Sequence, residues 1–139
     1  MNKETNAILM GIAEDVLNDI SWNCPLFKNI QEGRNTIYES YNGQIASLGV
    51  SILTIGLKPT VSVFYQDAPR KEGEDNDAYR KCVLEVIAKM LTKYRTEYNF
   101  SNADDLCRTV IRDVNDSIKT DLINCSIALK EVVRTYKLG

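Results

Sequence analysis

Side chains that commonly carry out chemistry are scarce in this chain of 139 residues. There is no histidine, which excludes imidazole general bases, histidine-containing triads and histidine-ligated metal sites. The four cysteines, Cys24, Cys82, Cys107 and Cys125, include no Cys-x-x-Cys pair, so neither a zinc site nor a redox motif is expected. The glycine-rich loops that bind phosphates are also absent from the sequence. We therefore predict a protein that is not an enzyme and that uses no metal, cofactor or small-molecule substrate.

Basic residues in the second half of the chain have a spacing that could place them against successive phosphates of a nucleic acid. On a helical wheel, four of them fall in one sector of about 60°, roughly a quarter-turn from the apolar stripe of the last helix. No aromatic residue shares this sector, so contact with an RNA backbone, independent of sequence, is expected. The alternative is a solvated face with pairs such as Glu85 and Lys89. The RNA-binding candidates, in order of preference, are Lys119, Lys130, Arg134 and Lys137, then Lys89 and Lys93, then Lys58.

The formal net charge of −2 conceals a difference between the two halves of the chain. Residues 1–77 contain 6 basic and 11 acidic side chains, whereas residues 78–139 contain 11 basic and 8 acidic ones. A net charge this small excludes a strongly basic protein that binds nucleic acid unaided. The two halves nevertheless offer complementary faces for head-to-tail stacking of copies, with weak or no association of the isolated chain.

Length and composition predict one domain, residues 1–139, in a cytoplasmic protein. The 44% hydrophobic and 26% charged residues are close to the averages of soluble globular proteins. No apolar run is long enough to span a membrane, and the first residues do not form an export signal. Because nothing indicates export, the cysteines are expected to be reduced and to pack as small apolar residues.

Apolar residues at helical spacing predict a first helix from about Glu4 to Trp22. A connection over residues 23–33, with one helical turn, should follow it. The segment from Arg34 to Tyr65 fits two structures. Its β-branched residues favour a hairpin of residues 50–55 with 60–65, whereas its three- and four-residue spacing favours two helices. We favour the helices, because Gly56 suits a left-handed stop and Pro59 suits the start of a helix.

The rest of the chain also has helical spacing. An acidic loop, 67–77, should precede a helix from about Ala78 to Arg95, capped by Asn76 or Asp77. Residues 101–104 resemble a capping box, residues 113–116 should interrupt the following helix, and the last helix should run to about Tyr136. The sequence thus predicts an all-α fold, a single compact domain of five to six helices without a sheet.

One segment resembles a known protein family. The run from Leu48 to Phe64, LGVSILTIGLKPTVSVF, resembles part of the small subunit of type III-B CRISPR effector complexes, the Cmr complexes. That family has an apolar helix that ends in a Gly-Leu turn, followed by a short helix with a Thr and a Phe. The ending VVRTYK, residues 132–137, is similar to the last helix of the family, in which apolar and basic residues precede an aromatic one. The family is all-helical and has this length, with a loop of variable length where 67–77 lies here.

The resemblance implies a non-catalytic structural subunit that acts in antiviral defence. Family members stack as a short filament beside the subunits that hold the guide RNA, and they help line the groove where target RNA pairs with the guide. The implied partners are therefore the other Cmr subunits, further copies of this chain and the guide RNA–target RNA duplex. Two alternatives stay open: the related type III-A small subunit, and a helical adaptor or regulator that binds another protein.

Overall fold

The computed structural model describes residues 1–67 and 79–139, and most of these residues form helices. Six α-helices, one short 3₁₀ helix and three two-residue strands follow one another along the described residues. In chain order they are α1 (Lys3–Leu17), β1 (Phe27–Lys28), the 3₁₀ helix (Ile30–Glu32), β2 (Thr36–Ile37), α2 (Ser40–Ile55), α3 (Leu57–Gln66), α4 (Arg80–Tyr94), α5 (Ala103–Arg112), α6 (Lys119–Val133) and β3 (Lys137–Leu138).

The core is organised around α4 and α6. Helix α4 packs against α1, α2, α3, α5 and α6, and its buried residues occupy more than one face. A helix that is apolar on several faces must be enclosed by neighbours, which is the position that α4 occupies. Helix α6 packs most extensively against α1 and α2. One continuous apolar cluster includes residues from all six helices, so the all-α fold class predicted from the sequence is confirmed.

The ambiguous segment folds as two helices, as predicted. Residues 50–55 belong to α2 and residues 60–65 to α3, so the alternative hairpin does not form. Gly56 separates the helices with φ 101° and ψ 162°, a positive φ that favours glycine, although its ψ is extended rather than left-handed helical. Leu57 is fully buried directly after it, and Pro59 lies in the first turn of α3, where its missing N–H leaves no helical hydrogen bond unmade.

The expectation that the chain has no sheet is wrong in one place. Strand β1 pairs antiparallel with β2, and β2 pairs parallel with β3, in a three-stranded sheet. Strands of two residues have no alternation that a sequence pattern could show. The pairing of β2 with β3 also joins segments about 100 residues apart in the chain, and Phe27 and Ile37 of the sheet belong to the apolar core.

Two helices end earlier than their apolar spacing predicts. Helix α1 ends at Leu17 instead of Trp22, because Arg34 donates hydrogen bonds to the carbonyls of Leu17, Asp19 and Trp22 and holds this stretch in a turn. Ile20, which the predicted helix would have placed on its apolar face, is consequently 94% exposed. Helix α6 ends at Val133 instead of Tyr136, since the chain turns there into β3.

The end of α4 and the bounds of α5 agree with the sequence, whereas the helical turn expected at Leu26–Ile30 is found instead as the 3₁₀ helix Ile30–Glu32, after β1. Helix α5 begins after Asn102, whose side chain accepts a hydrogen bond from the amide of Asp105, and the predicted interruption follows Arg112. Most of the acidic loop 67–77, the proposed caps Asn76 and Asp77, and the predicted helix start at Ala78 lie outside the described residues.

Candidate nucleic-acid interface

The structure brings two of the predicted RNA-binding residues together at the C-terminal end of α6. Lys130 lies in the last turn of α6, and Arg134 follows one turn later and is exposed. The guanidinium Nε of Arg134 donates a hydrogen bond to Asn42 Oδ1 of α2 at 3.2 Å. The ammonium group of Lys130 forms no hydrogen bond or ion pair with the residues that the structure describes. Two adjacent cations near solvent can contact neighbouring phosphates, with Asn42 holding Arg134 towards α2.

The other two residues of the predicted sector lie apart from this pair. Lys119 is the first residue of α6, 11 residues before Lys130, which corresponds to about 16 Å along the axis. Lys137 is not helical, because it belongs to β3 and is exposed there. The predicted stripe of four therefore divides into a pair, one residue at the far end of α6 and one on the sheet.

The two lysines of α4 face the C-terminal end of α1. Lys89 Nζ lies 4.7 Å from the centroid of the Trp22 ring, which gives that ammonium a cation–π contact. Hydrogen bonds from Ser21 lower the pKa of Asp19 most, and the positive charges of Lys93 and Lys89 lower it further. Both lysines act on Asp19, and Lys89 also contacts Trp22, so Lys93 is the more available of the two for a phosphate.

Lys58 has a structural contact of its own. Its ammonium Nζ, in the first turn of α3, donates a hydrogen bond to the carbonyl of Ile111 at 3.0 Å. That carbonyl lies in the last turn of α5, where helical carbonyls have no partner within the helix and a cation is favoured. A phosphate would have to compete with this contact, so the structure places Lys58 last among the candidates.

Tyr136, the aromatic residue of the C-terminal motif, joins the end of the chain to α1. Its hydroxyl donates to Glu14 Oε1 at 2.8 Å and accepts from Asn18 Nδ2 at 2.8 Å, and its ring packs edge-on against Phe27. Burial and the bond to Glu14 raise the pKa of Tyr136. With its ring and hydroxyl engaged in this way, Tyr136 fixes the chain between Arg134 and Lys137 against α1 and β1.

The cysteines are poor nucleophiles in this fold. All four have free thiols, and burial is the main cause that raises the pKa of each. The pKa values of Cys24 and Cys125 are raised to about 12. A thiol with such a pKa has almost no thiolate at neutral pH, and thiolate is the reactive form. In the described residues, no three Asp, Glu, Cys or His side chains are grouped so that they could hold a metal ion.

Beside the basic pair, α2 and α6 form an apolar groove that the sequence pattern did not predict. Val50 and Leu53 of α2 are 64% and 71% exposed, and Ile127 of α6 is 37% exposed. The groove has a volume of about 190 Å³, and Lys130 lies at its edge. The helices approach closely at Gly49, where an added Cβ would lie 3.2 Å from Ser126 Oγ. Val50, Leu53 and Ile127 therefore line one partly exposed apolar groove.

A signal for this groove was present in the sequence. Val50 and Leu53 are three residues apart, on a face of α2 outside the buried stripe of Ile45, Leu48 and Ile52. Two large apolar residues on a helix face outside its buried stripe require a second neighbour or remain exposed. The β-branched composition of this segment had favoured the alternative hairpin instead.

Comparison with known proteins gives no assignment: no protein-family model, curated protein or solved structure matches this chain. Among the described residues, none of the helices has both the length and the apolar character needed to cross a membrane.

Proposed function

We propose that this chain is a non-catalytic, cytoplasmic small subunit of a type III-B CRISPR effector complex. In this role it stacks beside the guide-RNA backbone and contacts the guide RNA–target RNA duplex through basic residues. The observation that carries the proposal is the conformation of the segment from Leu48 to Phe64, on which the resemblance rests. It forms the end of an apolar helix, a Gly-Leu turn and a short helix in which Thr60 and Phe64 are buried.

The arrangement of the α2/α6 surface supports a subunit with two kinds of neighbour. The apolar groove around Leu53 suits a protein contact, because burying its exposed side chains would contribute favourably to association. Lys130 and Arg134 lie at and beyond its edge and can reach an adjacent phosphate backbone. A subunit between protein neighbours and an RNA duplex needs both surfaces side by side.

The test is purification of the N-terminally tagged chain from its host, followed by analysis of bound RNA and protein. We expect RNA of a few uniform lengths, together with the other subunits of the complex. The identities of those subunits distinguish type III-B from type III-A complexes. Leu53→Asp should reduce recovery of subunits and RNA together, whereas the exposed substitution Thr54→Asp, one position along α2, should not.

The groove also favours the second function, a helical adaptor or regulator. Its occupant would then be an amphipathic helix with an acidic residue facing Lys130, since apolar contacts fill the groove and the rim is cationic. Recovery of one protein partner without RNA, dependent on Leu53 and weakened by Lys130→Glu, would favour the adaptor and overturn the CRISPR proposal.

A further inference from the structure

A polar cavity lies on the exposed face of the small sheet, away from the α2/α6 groove. It has a volume of about 270 Å³. The side chains that define it are those of Lys28, Asn29, Glu32, Asn35, Thr36 and Lys137. Its floor is the sheet, and its wall is the segment between β1 and β2, which includes the 3₁₀ helix.

The sheet register places the two lysines on either side of a hydroxyl group. Lys28 of β1 is paired with Thr36 of β2, which is paired with Lys137 of β3. Paired residues share a face, and adjacent strands are about 4.8 Å apart, so the two lysine Cα atoms flank Thr36 at a separation of about 10 Å. Lysine side chains are long enough for both ammonium groups to converge above Thr36.

The opposite face of the sheet fixes this orientation. Phe27 and Ile37 are buried, whereas Lys28 and Lys137 are exposed. A shift of one residue in the register would bury the lysines and expose the apolar residues, which is strongly unfavourable. The placement of both lysines on the exposed face, on either side of Thr36, therefore follows from the packing of the sheet on the core.

The segment between β1 and β2 contributes a second set of hydrogen-bond donors. Gly33 has a φ of 119°, and a Cβ at this position would lie 2.8 Å from Asn35 Nδ2. The amide of Asn35 therefore lies directly over the glycine, in space that only glycine leaves free. Asn29 adopts a left-handed conformation with φ 53°, which turns the chain out of β1 and along the cavity.

The charges of the cavity favour an anion. Two lysines and one carboxylate, Glu32, line it, and neither lysine forms an ion pair with any described residue. The lining has no aromatic side chain on which a nucleobase could stack, so the recognised part of a nucleotide would be its phosphate. Ammonium, amide and hydroxyl donors together suit a phosphate group.

We propose that this sheet cavity binds a phosphate group, held between Lys28 and Lys137 over Thr36 with Asn35 as a further donor. The phosphate can be inorganic or can belong to an RNA backbone. Only the second source depends on the proposed function. The site itself is a property of the isolated chain and can be tested without any partner.

The experiment is an NMR titration of the ¹⁵N-labelled chain, tagged at the N-terminus because an extension after Gly139 would enter the cavity. Three probes are used: inorganic phosphate, a short single-stranded RNA without a terminal phosphate, and the same RNA with a 5′-phosphate. We expect saturable shifts of the amides of Gly33 and Thr36 and of the Asn35 side chain. Shifts with inorganic phosphate or the 5′-phosphorylated RNA, but not with the unphosphorylated RNA, would identify a free or terminal phosphate as the ligand. Shifts with all three probes would identify the RNA backbone.

The matched variants separate a site from general charge attraction. Lys28→Ala/Lys137→Ala should weaken the affinity for the probe about fivefold to tenfold, as expected for the loss of two solvent-accessible ion pairs. Lys3→Ala/Arg112→Ala removes the same charge from exposed positions elsewhere and should leave affinity within about twofold. Both pairs leave the backbone pairing of the sheet in place, so the folded spectrum reports an intact chain. Absence of saturable shifts with every probe, or equal weakening by both pairs, would overturn the proposal.

Discussion

At the scale of single residues, the carboxylate of Asp121, in the first turn of α6, is the centre of a side-chain network. It accepts hydrogen bonds from Arg95 Nε at 2.7 Å, Arg95 Nη2 at 3.1 Å and the Tyr98 hydroxyl at 2.7 Å. Burial acts to raise the pKa of Asp121, but the bonds from Arg95 and Tyr98 outweigh it and hold that pKa below its ordinary value. This network connects the end of α4 to the start of α6.

Because the pKa of Asp121 is lowered in the folded state, the stability of the fold should fall as the medium becomes acidic. A carboxyl with a lower pKa in the folded state stabilises the fold above its ordinary value of 3.8, and this contribution is lost as the pH falls through the folded pKa. Asp121→Asn should lower the free energy of unfolding at pH 7 by about 1–3 kcal/mol. Urea unfolding at several pH values should show the difference from wild type shrinking below about pH 4.

The control for this prediction is Asp15→Asn, an exposed carboxylate on α1. It should change the free energy of unfolding by less than about 0.5 kcal/mol at either pH. A difference between wild type and Asp121→Asn that stays constant from pH 7 to pH 3 would contradict the role assigned to the ionised network.

At the scale of elements, the turn between α2 and α3 depends on the backbone of one residue. Gly56 has φ 101°, whereas an added Cβ would lie 3.6 Å from Pro59 Cδ, an ordinary contact. The cost of Gly56→Ala is therefore conformational strain rather than a clash, and it should lower the free energy of unfolding by about 1–3 kcal/mol. Chemical denaturation of the purified variant measures this cost directly.

A second glycine provides a control at which alanine should change the stability in the opposite direction. Gly43 lies within α2, and an added Cβ there would meet no atom within 4 Å. Alanine is a better helix former than glycine, so Gly43→Ala should raise stability by about 0.5–1 kcal/mol. Changes of the same sign at both positions would show that the turn does not need the positive φ.

The elements differ in how well their sequences predict them. Helices α4 and α6 bury apolar residues at helical spacing over about four turns, which predicts a helix, whereas α2 has the same spacing but β-branched residues that also fit a strand. The three strands have two residues each and are paired by distant contacts, so no local pattern encodes them. The early end of α1 also depends on a distant residue, Arg34, whose hydrogen bonds outweigh the continued apolar spacing.

The candidate RNA-binding residues also differ in how well the sequence predicts their positions. A wheel built on one continuous helix gives the correct neighbours for Lys130 and Arg134, because both lie in or directly after α6. It fails for Lys137, because the chain leaves the helix before reaching it. Lys28 could not be associated with Lys137 from the sequence, since only the sheet register brings them together.

At the scale of the whole molecule, cations are spread over separate surfaces instead of one stripe. One pair, Lys130 and Arg134, borders the α2/α6 groove, and another, Lys28 and Lys137, lines the sheet cavity. With a net charge of −2, the isolated chain should bind RNA weakly, and affinity should arise where several copies present their cations along one backbone.

The proposed function predicts a specific salt dependence for a type III-B complex that contains this chain. Target-RNA affinity is measured across a salt series for complexes that contain wild-type subunit or Lys130→Ala/Arg134→Ala. For every phosphate that the variant no longer binds, the slope of log affinity against log salt should fall by about 0.7–0.9, because fewer counterions are released on binding. Lys3→Ala/Arg112→Ala, which removes the same charge, should leave the slope unchanged.

An unchanged slope for Lys130→Ala/Arg134→Ala, with the subunit still incorporated, would show that this pair does not bind phosphate. Failure of the variant to incorporate would show instead that the pair docks on a protein neighbour. That result would agree with the position of the pair beside the apolar groove.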